Sequence, residues 1–558
     1  MRPSTLPSGS IPRAGTILAL LWLAFVVRGF WYCALLPPWE GYDEPFHFAA
    51  LQNVAAGNGM PHAGDPVSLE VQKSLHLLPL PWELHFHEIP QPLTPHEEFW
   101  KLPPNEREQR IQAVRALAPE DGLLPASERI VNYESQQPPL YYWLLAGPLR
   151  VMSSLSLLSR IYLMRFLSLL LASIAVPLAY WVARQVLPSQ AQALGTTAII
   201  VLLPELMINV ARVSNEPLAL VCYTAMLFAA VAAVRKPMSW PPWLLLGVAL
   251  GCGLLTKAYV LSAVPGVIAV ALAGFAQLRS IDKQHRPALS LVARVAATLA
   301  VASAISAGWY LQTHRMTGSW TGVADDAAMG HLSLAAKLAA VPQVNWKSGF
   351  LSIAISHVWF GAWSFLRVPN VVCVLAFAVF AIAVIGVALR LFRHRTPILE
   401  RRQILVLATF YLCFWAGLAY EVVVIYLHQG ISASAGWYLY AAVAAEAVLL
   451  VWGLQAFLPA RIVFPSLAVA IAALDLYGTH ALLMPYYAGL TSHSGKWVPG
   501  SLGPTLMQLP FVFDRLSQLH PRWLGAPALW SLWVGYGVAT VGSVVFTFAV
   551  SLKPRLDG

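Results

Sequence analysis

The chain has 558 residues, of which 58% are hydrophobic and only 11% charged, with a net charge of +10. A soluble domain is nearer half apolar and a quarter charged, so this composition excludes an ordinary soluble protein and predicts a polytopic chain embedded in a lipid bilayer. The basic excess reads as positive-inside charge, and no clustered basic and aromatic surface points to nucleic acid.

The first long apolar run, Gly15 to Leu36, has about the length needed to cross a bilayer, roughly 20 residues. It is long for a signal peptide and lacks a small-residue cleavage site before Pro37, so an uncleaved first helix is expected. Arg2 and Arg13 place the N-terminus in the cytoplasm. From Pro37 to Pro138 the chain is polar and rich in Pro and His, too long for a simple connector. Glu44 to Ala56 reads as an amphipathic helix whose Phe46, Ala49, Ala50 and Val54 rest on the membrane surface. Glu106 to Leu117 reads as a second, more charged helix. Leu140 to Leu158 is apolar but broken by Gly147, Pro148 and Arg150.

Eleven further runs are long enough to span: Ile161–Ala183, Ala191–Ile208, Leu218–Val234, Trp243–Thr256, Tyr259–Leu278, Leu289–Leu311, Val371–Leu391, Ile404–Leu427, Trp437–Phe457, Ile462–Thr479 and Ala528–Leu552. If Leu140–Leu158 and Phe350–Leu366 lie on the outer surface, Arg184, Arg235, Lys236, Arg279, Lys283 and Arg286 fall inside. So do Arg390, Arg393, Arg395, Arg401, Arg402, Arg461, Lys553 and Arg555.

The expected fold class is an all-α helical bundle of about 12–13 spans with a large first outer loop. Its divisions are an N-terminus with the first helix (1–36), an extracytoplasmic loop (37–160) and core spans (161–312). A second outer loop (313–369), C-terminal spans (370–480), a third outer loop (481–527) and a last helix with tail (528–558) follow. The five cysteines lie in or beside apolar runs, so no disulfide framework is expected.

Two adjacent carboxylates, Asp43 and Glu44, stand where the first helix leaves the hydrocarbon, with His47 one helical turn on. Charge at a membrane edge is costly and usually functional. Asp43 is a candidate general base, Glu44 a candidate for holding metal or substrate; the competing reading makes Asp43 a simple helix cap. Glu134 precedes Gln136-Gln137-Pro138-Pro139-Leu140-Tyr141-Tyr142, where the prolines fix an extended entry. Asp43 and Glu134 are the candidate metal ligands, though the sequence does not require a divalent metal. Tyr141 is a candidate substrate platform or part of an interfacial aromatic belt.

Arg212 with Asn215-Glu216-Pro217, Lys257 between two apolar runs, and Arg315 all fall on the side of Asp43. Each cation either snorkels or binds an anion such as a lipid phosphate. The histidines His62, His76, His85, His87 and His96 match no strong metal spacing.

In order and spacing, these features resemble the GT-C glycosyltransferases. The resemblance is nearest the branch of protein O-mannosyltransferases and the enzyme that adds aminoarabinose to lipid A. Asp43-Glu44-Pro45 with His47 looks like the family's acidic motif in the first outer loop. Glu134 with Pro138-Pro139-Leu140 looks like its (Glu/His)-x-Pro-Pro-Leu segment. Asn215-Glu216 stand where the family commonly has Asp, and Leu255-Thr256-Lys257 looks like its carrier-phosphate lysine.

The resemblance implies a sugar transferred from a polyprenyl-phosphate donor to an extracytoplasmic acceptor (lipid, glycan or protein). The enzyme would be multi-pass in the cytoplasmic membrane. It implies Asp43 and Glu44 as catalytic, with His47, Glu134, Tyr141, Arg212, Asn215, Glu216, Lys257 and Arg315 binding substrate. The rival from another class is a transporter or flippase of lipid-linked sugars. Transporters tend to show internal repeats and midplane charges, and neither feature is present here.

Overall fold

The computed structural model describes residues 11–86, 89–90, 92–117, 119, 125, 128–281, 288–392, 396–496 and 504–552. It is an all-α polytopic membrane protein. Among the described residues, ten helices are long and apolar enough to cross a bilayer, from Ala14–Leu35 to Ala526–Val550. The sole described sheet is a two-residue parallel pairing of Pro79–Leu80 with Thr94–Pro95.

Fewer helices than the expected twelve to thirteen pass the test of length and composition among the described residues. The run Ala191–Ile208 is two helices, Gln190–Leu202 and Pro204–Val210, bent by 63°. Pro204 has no N–H to continue the first helix and disfavours helical geometry at Leu203, which is extended at ψ 114°. The run Trp243–Thr256 is the fifteen-residue helix Trp240–Leu254. Counting the bent pair as one span gives eleven.

The two segments expected at the surface are short helices, Leu140–Val151 and Trp346–Val358, of 12 and 13 residues. At 1.5 Å per residue each is about 20 Å long, less than the hydrocarbon thickness of roughly 30 Å. Of the charges used to orient the chain, Arg2, Lys283, Arg286, Arg393, Arg395, Lys553, Arg555 and the side chain of Arg13 lie outside the described residues.

Burial follows the bilayer rather than water. Asn370–Phe392 has the highest mean hydropathy of the spans, 3.0, and the least buried apolar stretch. Val371, Val374, Leu375 and Val384 all point outward from it, as hydrocarbon solvent permits. Polar side chains turn inward and pair. Arg28 meets Asp475 at 2.6 Å, both fully buried, and Arg160 pairs with Glu70. His357 lies 2.9 Å from Glu446. The five cysteines are free and buried or half-buried, as expected.

Helix Glu44–Ala56 corrects a second expectation. Phe46, Ala49 and Ala50 are not laid on the membrane; they are buried inside the protein, where the helix packs on Leu140–Val151. Nine of its thirteen residues are buried, on all sides.

Helices Asn370–Phe392 and Val443–Leu454 approach through glycine. A Cβ on Gly453 would run into the carbonyl oxygen of Ala383, and one on Gly386 into that of Gly453. Small residues permit this approach where lipid supplies no hydrophobic drive between helices. Gly453→Val should therefore lower the thermal unfolding temperature of detergent-solubilised protein, with a loss of about 1–3 kcal/mol from overpacking. Gly308→Ala, which meets nothing within 4 Å, is the matched neutral control.

Candidate active site

Helix Ile11–Leu35 ends in carbonyls that have no helical partner, as every helix does. Arg165, on helix Leu157–Ser173, supplies the donors: its guanidinium bonds the carbonyls of Cys33 (3.1 Å), Leu36 and Pro37 (2.8 Å). Glu44 neutralises that charge. Its carboxylate takes Arg165 Nε at 2.7 Å and also Nη2, and accepts the backbone N–H groups of Val213 (3.0 Å) and Trp39 (3.2 Å). Both side chains are fully buried. Glu44 is therefore a structural tie between the first span, the second and the loop before Glu216, and does not face the substrate side as expected.

Fixing Glu44 sets Asp43. Asp43 holds the N-cap position in the left-handed region, φ 57° and ψ 12°, a conformation non-glycine residues seldom adopt. Its side chain makes no capping hydrogen bond, so the helix-cap reading fails. Instead Asp43 accepts the hydroxyl of Tyr133. Asp43 is half-buried whereas Glu44, His47 and Glu134 are buried.

His47 and Glu134 close on Asp43. Ligand atoms from the three residues lie within 4.8 Å of one another. His47 Nδ1 shares a hydrogen bond of 2.7 Å with Tyr142, and its Nε2 stands 3.8 Å from Glu134 Oε2. Burial, then the charges of Lys257 and Arg212, hold the imidazole pKa well below its ordinary value. His47 is thus neutral at physiological pH, and its approach to Glu134 is not an ion pair. Burial, then the charge of Asp43, push Glu134 up to about 7. Glu134 Oε2 is buried with no hydrogen-bond partner among the described residues.

An orphaned carboxylate oxygen, a neutral imidazole nitrogen and a nearby carboxylate fit a divalent cation. The neighbouring histidines do not converge: His96 binds Glu40 at 2.8 Å and His62 pairs with Asp65. His87, Glu88 and the side chain of His85 lie outside the described residues.

The cationic wall comes from the loop 209–216 and from Lys257. Lys257 Nζ donates to Asn215 Oδ1 and meets Glu216 Oε1, both at 3.1 Å, and sits 5.2 Å from the ring centre of Tyr438. Asn215 is held by Gln137 and the Thr256 carbonyl at 2.9 Å, and Glu216 by Tyr259 at 2.7 Å. Arg212 is committed elsewhere. Its donors reach the Tyr42 carbonyl, the Asn209 carbonyl (3.0 Å) and Asn209 Oδ1 (2.8 Å), over the Tyr42 ring. This locks two loops together and engages the Arg212 donors within the protein. Tyr141 turns away, bonded to Ser168 at 2.7 Å. Arg315 is exposed in the last turn of Ala288–Thr317, outside the cluster.

Residues missed from the sequence are Tyr133, Tyr142, Gln137 and Tyr438. The first three flank or sit within the quoted proline segment, so their neighbourhood was visible. Tyr438 comes from the half of the chain that carries no motif.

Residues 137–321 match the family described as dolichyl-phosphate-mannose-protein mannosyltransferase. The resemblance to that family is borne out over those residues. The matched third contains Asn215, Glu216 and Lys257 but stops short of Asp43, His47 and Glu134.

Among solved structures, the chain is similar to the apo oligosaccharyltransferase of Archaeoglobus fulgidus (13% identity, 96% of this chain and 56% of that one, TM-score 0.40). It is similar to arabinosyltransferase EmbB of Mycobacterium smegmatis (14%, 100% and 43%, 0.43). A third is ArnT of Cupriavidus metallidurans bound to undecaprenyl phosphate (13%, 86% and 74%, 0.37). The chain spans about half the length of the first two. No curated protein matches the sequence at the same level.

Removing the charge of Glu44 leaves Arg165 buried and unpaired. Glu44→Gln should destabilise the protein by about 3–5 kcal/mol. Asp43→Asn should leave the unfolding temperature near wild type. Equal stability of all three proteins would contradict the division between a structural Glu44 and an open Asp43.

Proposed function

We propose that this protein is a glycosyltransferase that moves a sugar from a polyprenyl-phosphate donor to an acceptor on the extracytoplasmic side of the cytoplasmic membrane. The observation that carries this reading is the position of Asp43. It is a half-buried carboxylate oriented by Tyr133, beside His47 and Glu134, and across from the buried Lys257.

Asp43 removes the proton of the acceptor hydroxyl or amine. The freed lone pair attacks the anomeric carbon. The bond from that carbon to the phosphate oxygen breaks, and the lipid phosphate leaves with the electron pair. The anomeric centre inverts and the proton stays on Asp43. Lys257 faces the leaving phosphate; its charge stabilises the negative charge that grows there. Asn215 and Glu216 fix the ammonium, and Tyr133 fixes the Asp43 rotamer. The outward apolar helices receive the lipid tail.

His47 and Glu134 would hold a divalent cation, with Asp43 in reach. Such an ion, when bound, supplies Lewis-acid stabilisation of phosphate oxygen.

Two measurements test this. Membranes holding wild type should transfer radiolabel from one of a panel of polyprenyl-phosphate sugars, and Asp43→Asn should lose at least about 100-fold of that rate. Transfer by Asp43→Asn at the wild-type rate rejects the catalytic assignment. Flux of a lipid-linked sugar into sealed liposomes without any transfer would favour a transporter instead. Elemental analysis of purified protein should find a divalent metal that is retained in Asp43→Asn and lost in His47→Ala/Glu134→Ala; equal content in all three rejects the cation site.

A further inference from the structure

A cavity of about 360 Å³ opens where the first outer loop meets the segments 365–367 and 481–495. Its size falls within that of small-ligand pockets, roughly 300–1,000 Å³. One wall is the indole of Trp82 stacked on His493, with ring centres 4.3 Å apart and planes 14° from parallel. His493 is held in place by the Ser364 carbonyl (2.7 Å) and by Glu97, which accepts its backbone N–H at 3.0 Å. Thr491 and Ser494 line a polar wall. Arg367 stands exposed in the lining and makes no ion pair or hydrogen bond among the described residues.

The Tyr486 hydroxyl is the decisive group. Tyr486 is 1% exposed and lines the cavity. Its hydroxyl is buried without a hydrogen-bond partner among the described residues. The neighbouring Ser364 gives its own hydrogen to Glu40 at 2.6 Å and keeps an oxygen that can accept, so a ligand at Tyr486 competes with Ser364. A hydroxyl buried without a well-formed hydrogen bond is costly, so a ligand that pairs with it gains on binding.

The cavity is linked to the Asp43 site through packed side chains, Trp363 on Phe46 and Phe46 on Tyr133. Trp82 is followed by Glu83, and burial together with the charge of Asp43 raises the Glu83 carboxyl to about 7. Trp363, beside the cavity wall, packs edge-on against Phe46 at 6.4 Å, on the same helix as His47. The backbone N–H of Trp363 bonds the Glu40 carbonyl at 3.1 Å. One loop thus serves both places.

We propose that this cavity binds the acceptor, and that the acceptor is a saccharide carrying an anionic group. The proposal rests on the glycosyltransferase reading and names the substrate class of that site. Stacked rings offer a flat apolar wall to the C–H face of a sugar. Thr491, Ser494 and Tyr486 offer hydroxyls for its hydroxyls. Arg367 offers a planar, permanently charged donor pair for a carboxylate or phosphate.

The test is saturation-transfer NMR on purified full-length protein in detergent, with glucuronic acid, glucose 1-phosphate and uncharged glucose as probes. Wild type should receive saturation onto both anionic sugars and bind them more tightly than glucose. Arg367→Ala should lose that preference, weakening the anionic sugars about tenfold, and Tyr486→Phe should weaken all three severalfold. No saturation of any probe at millimolar concentration overturns the proposal. So does wild-type affinity in both cavity variants of unchanged gel-filtration profile. The readout is binding, not transfer, so these outcomes leave the role of Asp43 standing. Transfer by Asp43→Asn removes that role without touching the cavity.

Discussion

A carboxylate and a guanidinium buried together at the end of the first span set the rest of the structure. Arg165 satisfies the carbonyls that helix Ile11–Leu35 leaves open, and Glu44 cancels its charge while accepting N–H groups from two further segments. In a low-dielectric interior neither ion is tolerable alone. The pair therefore persists only if helix Leu157–Ser173, the turn at 37–44 and the loop before Glu216 keep one geometry. Asp43 inherits its left-handed backbone and its direction from that constraint.

Beside it lies a second set of fixed loops. Glu40 gathers His96, Ser364 and Tyr487 from three distant parts of the chain. Glu205 takes the hydroxyl of Tyr42 and the N–H of Phe360, and Tyr42 stacks flat on Trp437 at 4.0 Å. Arg212 clamps the Tyr42 carbonyl from the other side. These contacts join the motif-bearing N-terminal half to the C-terminal half. They explain why these segments without regular structure hold a defined arrangement: their polar groups are paired inside the protein rather than with water.

The chemistry proposed for the site depends on unequal environments for similar groups. Glu44 is ion-paired and sealed, Glu134 is buried with one oxygen unpaired, and Asp43 is half-open. Three carboxylates within a short stretch of fold are thereby suited to three tasks: structure, cation holding and proton acceptance. Lys257, kept in place by Asn215 and Glu216, puts positive charge beside them.

The amino-acid sequence determined the membrane class, most of the spans and the four motif regions, because hydrophobic run length and charge placement are local quantities. It also placed Asp43, His47, Glu134 and Lys257 in one neighbourhood by their common membrane side. It did not decide which of Asp43 and Glu44 is open, since neighbours in sequence differ only in which distant partner they meet; Arg165 lies inside an apolar run and gave no sign of its role. For the same reason Arg212, which resembles a phosphate ligand in isolation, is a loop clamp once Asn209 and Tyr42 fold against it. Tyr438 and the cavity around Tyr486 belong wholly to tertiary structure, because each is made by segments whose separation in the chain leaves no periodicity or spacing to read.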